Sequence, residues 1–224
     1  MFCPNCQNLR LSSFSANRPV ADLYCKECGH EFELKSQQRP FGTRVVDGAY
    51  ATKIERLNAN NSPHLLLLHY NKADRRVQNL RVIPRFFFTA EVIQRRKPLG
   101  PNASRAGWVG SNILLNRIPN SGQISIVQDG AVRDIEDVRQ AWESFRFLEQ
   151  KRGPAKGWLL DVMRCVELLG TGEFLLSDVY AFEDGLSALY PENNSVRPKI
   201  RQQLQVLRDN GFLEFIGRGR YRRL

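Results

Sequence analysis

The sequence predicts an α/β domain followed by a small helical domain with a terminal β-hairpin, on three observations. Strand-like and helix-like runs alternate over roughly the first two thirds of the 224 residues, the pattern of an α/β layer. Two Cys-x-x-Cys pairs lie near the start. Beyond Gly157 the order changes to three helices and a hairpin in about 70 residues, which is the order of a winged helix.

In the first region the strand-like runs are Asp22 to Tyr24, Glu31 to Lys35, the continuously apolar His64 to Tyr70, Leu80 to Ile83, and Gln123 to Val127 ending at an Asp129-Gly130 turn. Helices are expected over Ala49 to Leu57, from a Thr89 cap to Arg95, and from an Asp134 cap to Glu149. The basic stretch Arg95 to Arg105 holds Pro98, Gly100 and Pro101, so it reads as an irregular loop. Lys151 to Gly157 is basic and rich in helix breakers, and predicts a linker. The domains are therefore placed at residues 1–152 and 157–224. In the second domain helices are expected over Trp158 to Leu169, over Leu176 to Tyr190 with a Ser177 cap, and from a Ser195 cap to Gly211. Strands at Phe212 to Ile216 and Arg220 to Leu224 flank Gly217-Arg218-Gly219. Trp142, Trp158 and Cys165 read as core residues, and the three histidines show no ligand spacing.

Cys3-x-x-Cys6 and Cys25-x-x-Cys28 are separated by 18 residues. Pairs at this distance suit tetrahedral zinc, because each turn aims two thiolates at one ion. Four sulfurs leave no open coordination position, so Cys3, Cys6, Cys25 and Cys28 predict a structural Zn²⁺ site. No basic segment followed by an apolar one opens the chain, which predicts a cytoplasmic protein with reduced thiols.

The net charge is +10 and the pI about 9.7, values that favour an anionic partner. The longest pure-aliphatic run, Leu65 to Leu68, is far short of the roughly 20 residues of a membrane span, so nucleic acid is favoured over membrane. Between Ser195 and Leu224 stand eight Lys or Arg and two acids, a net of +6. Val196, Ile200, Leu204 and Leu207 make an apolar stripe on the third helix. Arg201, Gln202 and Gln205 then face outward, with Arg197 and Lys199 near the helix start. Arg and Gln suit guanine and adenine edges in the major groove, and Arg218 and Arg220 on the hairpin suit phosphate or minor-groove contacts.

Asp22, ten residues, then Glu33-Leu34-Lys35 forms the remaining constellation. Alternation along a strand points Glu33 and Lys35 to one face. With Asp22 from a neighbouring strand, the carboxylates make a hard-oxygen site for Mg²⁺, and Lys35 can stabilise charge on a phosphate or orient water. By itself this spacing is a weak signal in a chain one quarter charged.

The larger strings are more specific. Cys3-Pro4-Asn5-Cys6, Asn17 to Asp22, Glu31 to Ser36, Asp47 to Thr52, Arg105 to Trp108, Val127 to Gly130 and Ile200 to Gln205 together resemble the DpnI-like, or Dam-replacing, restriction endonucleases of the PD-(D/E)XK superfamily. The likeness spans nearly the whole chain. It implies an α/β PD-(D/E)XK nuclease domain with an embedded zinc site, followed by a C-terminal winged-helix domain. It further implies a cytoplasmic bacterial restriction enzyme that cuts double-stranded DNA at G-A-T-C sites carrying N6-methyladenine, with both domains reading the site. Asp22, Glu33 and Lys35 take the catalytic roles, Asp22 and Glu33 hold Mg²⁺, and the main-chain carbonyl of Leu34 also reaches the metal. Val20 and Ala21 separate Pro19 from Asp22, a departure from the family's adjacent pair. Trp108, flanked by Gly107 and preceded by Arg105, becomes a DNA-contacting residue for the methylated base, against the alternative of a core tryptophan. The competing reading is a non-catalytic regulator in which a zinc ribbon and a winged helix bind DNA, with no use for the Asp22, Glu33, Lys35 trio. Oligomeric state stays open, with a monomer as the default.

Overall fold

The computed structural model describes residues 1–15, 21–170 and 172–224, so Asn17 to Val20 of the expected motif lie outside the described residues. The chain divides into two compact units, Met1–Arg146 and Phe147–Leu224.

The first unit contains, in order, β1 (Ser12–Ser13), β2 (Leu23–Tyr24), β3 (Glu31–Gln37), β4 (Arg44–Ala49), α1 (Tyr50–Asn58), β5 (His64–Asn71), β6 (Arg76–Ile83), β7 (Ile93–Arg95), β8 (Gly110–Leu114), β9 (Ile124–Gln128), β10 (Ala131–Val132) and α2 (Ile135–Glu143). A seven-stranded mixed sheet runs β1-β2-β3-β5-β6-β9-β10, and a three-stranded sheet runs β4-β8-β7. Among the described residues only β3 and β5 pair in parallel, and β4 with α1 lies in the connection between them. Leu65, Leu66 and Leu67 of β5 are buried, as a central strand covered on both faces requires. Asp129 and Gly130 take φ of 50° and 81°, the left-handed pair of a tight hairpin turn between β9 and β10. The Asp134 carboxylate accepts the Glu136 N–H at 2.7 Å and caps α2 as expected.

Several expectations are corrected. No α-helix runs from Thr89 to Arg95; a 3₁₀ turn at Ala90–Val92 leads into β7, whose backbone pairs with β8. Helix α2 ends at Glu143, and a 3₁₀ turn over Arg146–Gln150 replaces its expected last turns. The expected linker contributes the first turn of a helix.

That helix opens the second unit, which contains α3 (Gly153–Leu168), β11 (Glu173–Leu175), α4 (Leu176–Tyr180), α5 (Glu183–Leu189), α6 (Val196–Asp209), β12 (Leu213–Gly217) and β13 (Arg220–Arg223). Pro154 stands at the start of α3, where its missing N–H is harmless. Gly157 is a packing glycine rather than a breaker, because a Cβ there would come within 2.7 Å of the Tyr190 hydroxyl. The expected second helix breaks into α4 and α5 around Ala181 and Phe182. Ser177 lies inside α4, and the Asp178 carboxylate, accepting the Leu175 N–H at 2.8 Å, secures that helix start. Ser195 precedes α6 without a side-chain cap bond. The stripe Val196, Ile200, Leu204 and Leu207 is buried, and a three-stranded antiparallel sheet in the order β11-β13-β12 completes the unit. No described helix is long and apolar enough to cross a membrane.

Candidate active site and nucleic-acid interface

Glu33 and Lys35 do share a face of β3, and both meet residues that the sequence did not single out. Lys35 Nζ lies 2.7 Å from Glu33 Oε1 and 2.8 Å from Asp47 Oδ1. Lys53 Nζ lies 2.7 Å from Glu33 Oε2 and 2.6 Å from Asp47 Oδ2. Two carboxylates and two ammonium groups thus alternate around a closed, neutral ring. Glu33 and Asp47 are buried. Burial works against the Asp47 carboxylate, but Lys53 and then Lys35 outweigh it and hold its pKa well below the usual carboxylate range. Burial also works against the Lys35 ammonium; Glu33 and Asp47 overcome this and raise its pKa.

The second pair comes from elements with their own reasons for being there. In β4, Val45 and Asp47 point inward while Val46 is exposed, so Asp47 occupies a core-facing position of an alternating strand. Lys53 lies one turn into α1, which follows β4 directly. The signal was present: Asp47 to Thr52 is one of the strings that carry the resemblance, and it stops one residue short of Lys53.

Asp22 lies beside this ring rather than in it. Its backbone N–H donates to Phe32 O at 2.9 Å and its Oδ2 accepts the Leu34 N–H at 2.7 Å, which anchors it to β3 next to Glu33. The carboxylates of Asp22 and Glu33 are hard oxygen donors suited to a divalent cation. Glu33 and Asp47 already converge on shared cations, so their oxygens are placed to surround positive charge.

The four cysteines come together. Cys3 and Cys28 sulfurs are 3.7 Å apart, Cys6 and Cys25 sulfurs 3.5 Å, and all four lie within 4.8 Å of one another. A tetrahedron with metal–sulfur bonds of about 2.3 Å spaces its sulfurs at about 3.8 Å, so the cluster fits a single metal ion. Gly29 at φ 73° donates its N–H to Cys25 O at 3.0 Å and closes the second knuckle. Asn5 of the first knuckle accepts from Trp142 Nε1 and from the Arg146 guanidinium, each at 3.0 Å, tying the cluster to the core around α2. Trp142 and Trp158 are buried, as expected, and Cys165 is a buried free thiol.

Trp108 closes the basic loop between β7 and β8. Its ring is half-buried, packs against Gly110, where a Cβ would approach Trp108 Cζ3 to 2.8 Å, and carries the Arg105 guanidinium 4.7 Å from its centroid. It is therefore no fully enclosed core residue.

On α6, Arg197, Arg201, Gln202 and Gln205 are exposed and Lys199 is half-buried. Several are held in place. Arg197 Nε pairs with Glu183 at 2.7 Å, Arg201 donates to the Tyr180 hydroxyl, and Lys199 Nζ donates to Gln202 Oε1 at 2.8 Å. Arg220 pairs with Glu173 at 2.8 Å, so the hairpin cation without an acidic partner among the described residues is Arg218 at the tip.

Two family models match the chain. The model described as the Dam-replacing family matches residues 1–151, and the model described as the Dam-replacing HTH domain matches residues 154–223.

Proposed function

The chain belongs to the Dam-replacing family, and on that premise we propose that it is a Mg²⁺-dependent type II restriction endonuclease. Its target is the G-A-T-C site with N6-methyladenine, and its nuclease domain is of the PD-(D/E)XK type. The observation that carries the chemistry is the buried ring of Glu33, Lys35, Asp47 and Lys53 with Asp22 anchored alongside. A DNA-binding regulator has no use for buried, mutually neutralising charges, which are expensive to desolvate.

Asp22, Glu33 and the Leu34 carbonyl would hold Mg²⁺, which when bound supplies positive charge at the scissile phosphate and acidifies water. Around it, Lys35 orients the attacking water or neutralises the developing phosphorane charge, having its pKa raised and so remaining protonated at neutral pH. Asp47 holds Lys35 in place, and Lys53 holds Glu33 and Asp47 apart from each other's repulsion. Cys3, Cys6, Cys25 and Cys28 would hold zinc, which when bound would stabilise the N-terminal strands that carry Asp22 and Glu33. In the second domain, Gln202 and Gln205 read base edges while Arg218 binds phosphate.

Supercoiled plasmid from adenine-methylating and non-methylating hosts, incubated with the protein and Mg²⁺, tests this directly. Discrete fragments are expected from the methylated plasmid alone; equal digestion of both, or of neither, overturns the reading. Trp108→Ala is expected to narrow the ratio of the two cleavage rates on matched oligonucleotides, since a fitted methyl contributes about 1–3 kcal/mol. An unchanged ratio would remove Trp108 from methyl reading.

A further inference from the structure

Past Lys35, the same face of the large sheet opens into a cavity of about 280 Å³. The register places it. Lys35 pairs with Leu67, Leu67 with Arg81, and Arg81 with Ser125, so the four residues form one row across β3, β5, β6 and β9. Paired residues in a sheet present their side chains on the same face, so Arg81 and Ser125 lie on the face that bears Lys35. Leu67, Arg81 and Ser125 line the cavity together with His69 and Asn79, the pair two positions along on the same face.

The lining is arranged to donate hydrogen bonds. Arg81 is half-buried and has no carboxylate partner among the described residues. Its Nη1 donates to Gln123 Oε1 at 2.8 Å, and Gln123 is itself fixed by donating to Leu115 O at 3.3 Å. A neutral amide thus orients the guanidinium without cancelling its charge. Asn79 Oδ1 accepts the Asp129 N–H at 3.1 Å, which fixes the amide so that Nδ2 faces His69 Nδ1 at 3.3 Å. Since Nδ2 can only donate, His69 Nδ1 accepts, and the neutral ring keeps its proton on Nε2 as a further donor. The acid of the lining, Asp129, is solvent-exposed. Burial disfavours the charged form of Arg81, and an anion is what would relieve that.

We infer that this cavity is a phosphate-binding subsite in which Arg81, assisted by His69 and Ser125, holds a backbone phosphate of the DNA strand that flanks the scissile one. This inference rests on the nuclease reading above. Arg81 is two strand spacings, about 10 Å, from Lys35. Successive phosphates of one DNA strand rise by about 3.4 Å along the axis, which sets the bound phosphate one to three nucleotides from the cut. The guanidinium fork matches two phosphate oxygens, and Lys cannot reproduce it.

The test uses the full-length protein without added Mg²⁺ and methylated duplexes bearing a single uncharged methylphosphonate at successive positions. Binding is read by fluorescence anisotropy. At one position within three nucleotides of the cut, neutralisation is expected to weaken wild-type binding about tenfold, as a charge-assisted contact of this kind would. Arg81→Gln should bind the unmodified duplex about tenfold more weakly and lose nothing further at that one position, and Arg81→Lys should recover only part of the loss. Losses that multiply at every position, or an Arg81→Gln protein that binds as wild type, overturn the subsite. A second probe is inorganic phosphate, followed through the His69 ring NMR signals: a saturable millimolar shift in wild type, absent in Arg81→Gln, supports it. If that shift is present in a protein that neither binds nor cuts duplex, the nuclease reading and the DNA assignment fall and the site belongs to a free phosphate. If the protein cuts methylated DNA but shows neither shift nor position effect, the subsite alone falls.

Discussion

In the N-terminal unit Glu33, Lys35, Asp47 and Lys53 neutralise one another inside the fold, whereas in the C-terminal unit the cations of α6 and the hairpin stand at the surface. The first arrangement holds its groups in short ion pairs and is screened little by salt. The second presents charge to a long polyanion and is screened by salt. The proposed chemical site and the proposed docking face thus use the same residue types in opposite ways, and burial tells them apart.

The comparison can be broken most severely at the cysteines. Stripping the metal with a strong chelator, or Cys25→Ser, is expected to unfold the first unit, since structural zinc in small domains contributes about 10–16 kcal/mol. Thiol titration after chelation should find four reactive cysteines. Cys165 should stay masked until the second unit melts, because it is buried and burial pushes its thiol up to about 11. Metal analysis showing no zinc in folded, cutting protein would remove the structural role.

The buried ring gives the next largest effect. Asp47→Ala leaves two ammonium groups facing one carboxylate, an uncompensated buried charge that should destabilise the first unit by about 3–5 kcal/mol. Adding Lys53→Met should recover part of it, and the double-mutant cycle in urea melts measures how much. Additive losses would mean that the two side chains do not act as one cluster.

How much of this was legible in the sequence depended on range. His64 to Tyr70 announced a buried strand because its apolar run is local, and the cysteine pairs and the α6 stripe are local as well. Strands β4 and β8 went unseen. Their signal is pairing between residues more than 60 positions apart, Val46 with Asn112 and Asp47 with Ser111, and the apolar runs they carry, Val45-Val46 and Ile113-Leu114, are short. Asp47 stood inside a string that carries the resemblance and Lys53 just beyond it, but neither showed its place in a buried cluster, since a charged residue reads as solvated until tertiary structure turns it inward. Two-residue alternation was enough to put Glu33 and Lys35 on one face of β3, while the roles proposed for them are implied only by the resemblance. Gly157 misled in the other direction: a glycine kept for contact with Tyr190 looked like a breaker.

Lys35 sharpens the contrast at the level of catalysis. Lys35→Ala should lower the cleavage rate by about 10²–10³-fold or more, the usual effect of losing one group that meets transition-state charge. DNA binding should change little, because the partly exposed ammonium is already paired with Glu33 and Asp47 and gains most from the phosphate as charge develops there. Asp22→Ala should do the same through the metal. Single-turnover rates beside anisotropy titrations separate the two quantities, and retained cutting by either variant would move the active site elsewhere.

The smallest effects, about 1 kcal/mol each, belong to the exposed face, and they divide by chemistry rather than by size. Arg218 stands at the hairpin tip without an acidic partner among the described residues, so Arg218→Ala should weaken binding to every duplex alike. It should also flatten the dependence of log K on log salt by about one phosphate contact. Arg220 offers a control within the same hairpin. It is already paired with Glu173, so Arg220→Ala forfeits less phosphate attraction and should change the salt slope less. Gln205 carries no charge and is exposed on α6, so Gln205→Ala should leave the salt slope unchanged and reduce only the preference for the target over unrelated sequence. Measuring affinity for both duplexes across a salt series gives slope and preference together. A Gln205→Ala protein with altered slope, or an Arg218→Ala protein with altered preference, would show that α6 and the hairpin do not divide reading from anchoring in this way.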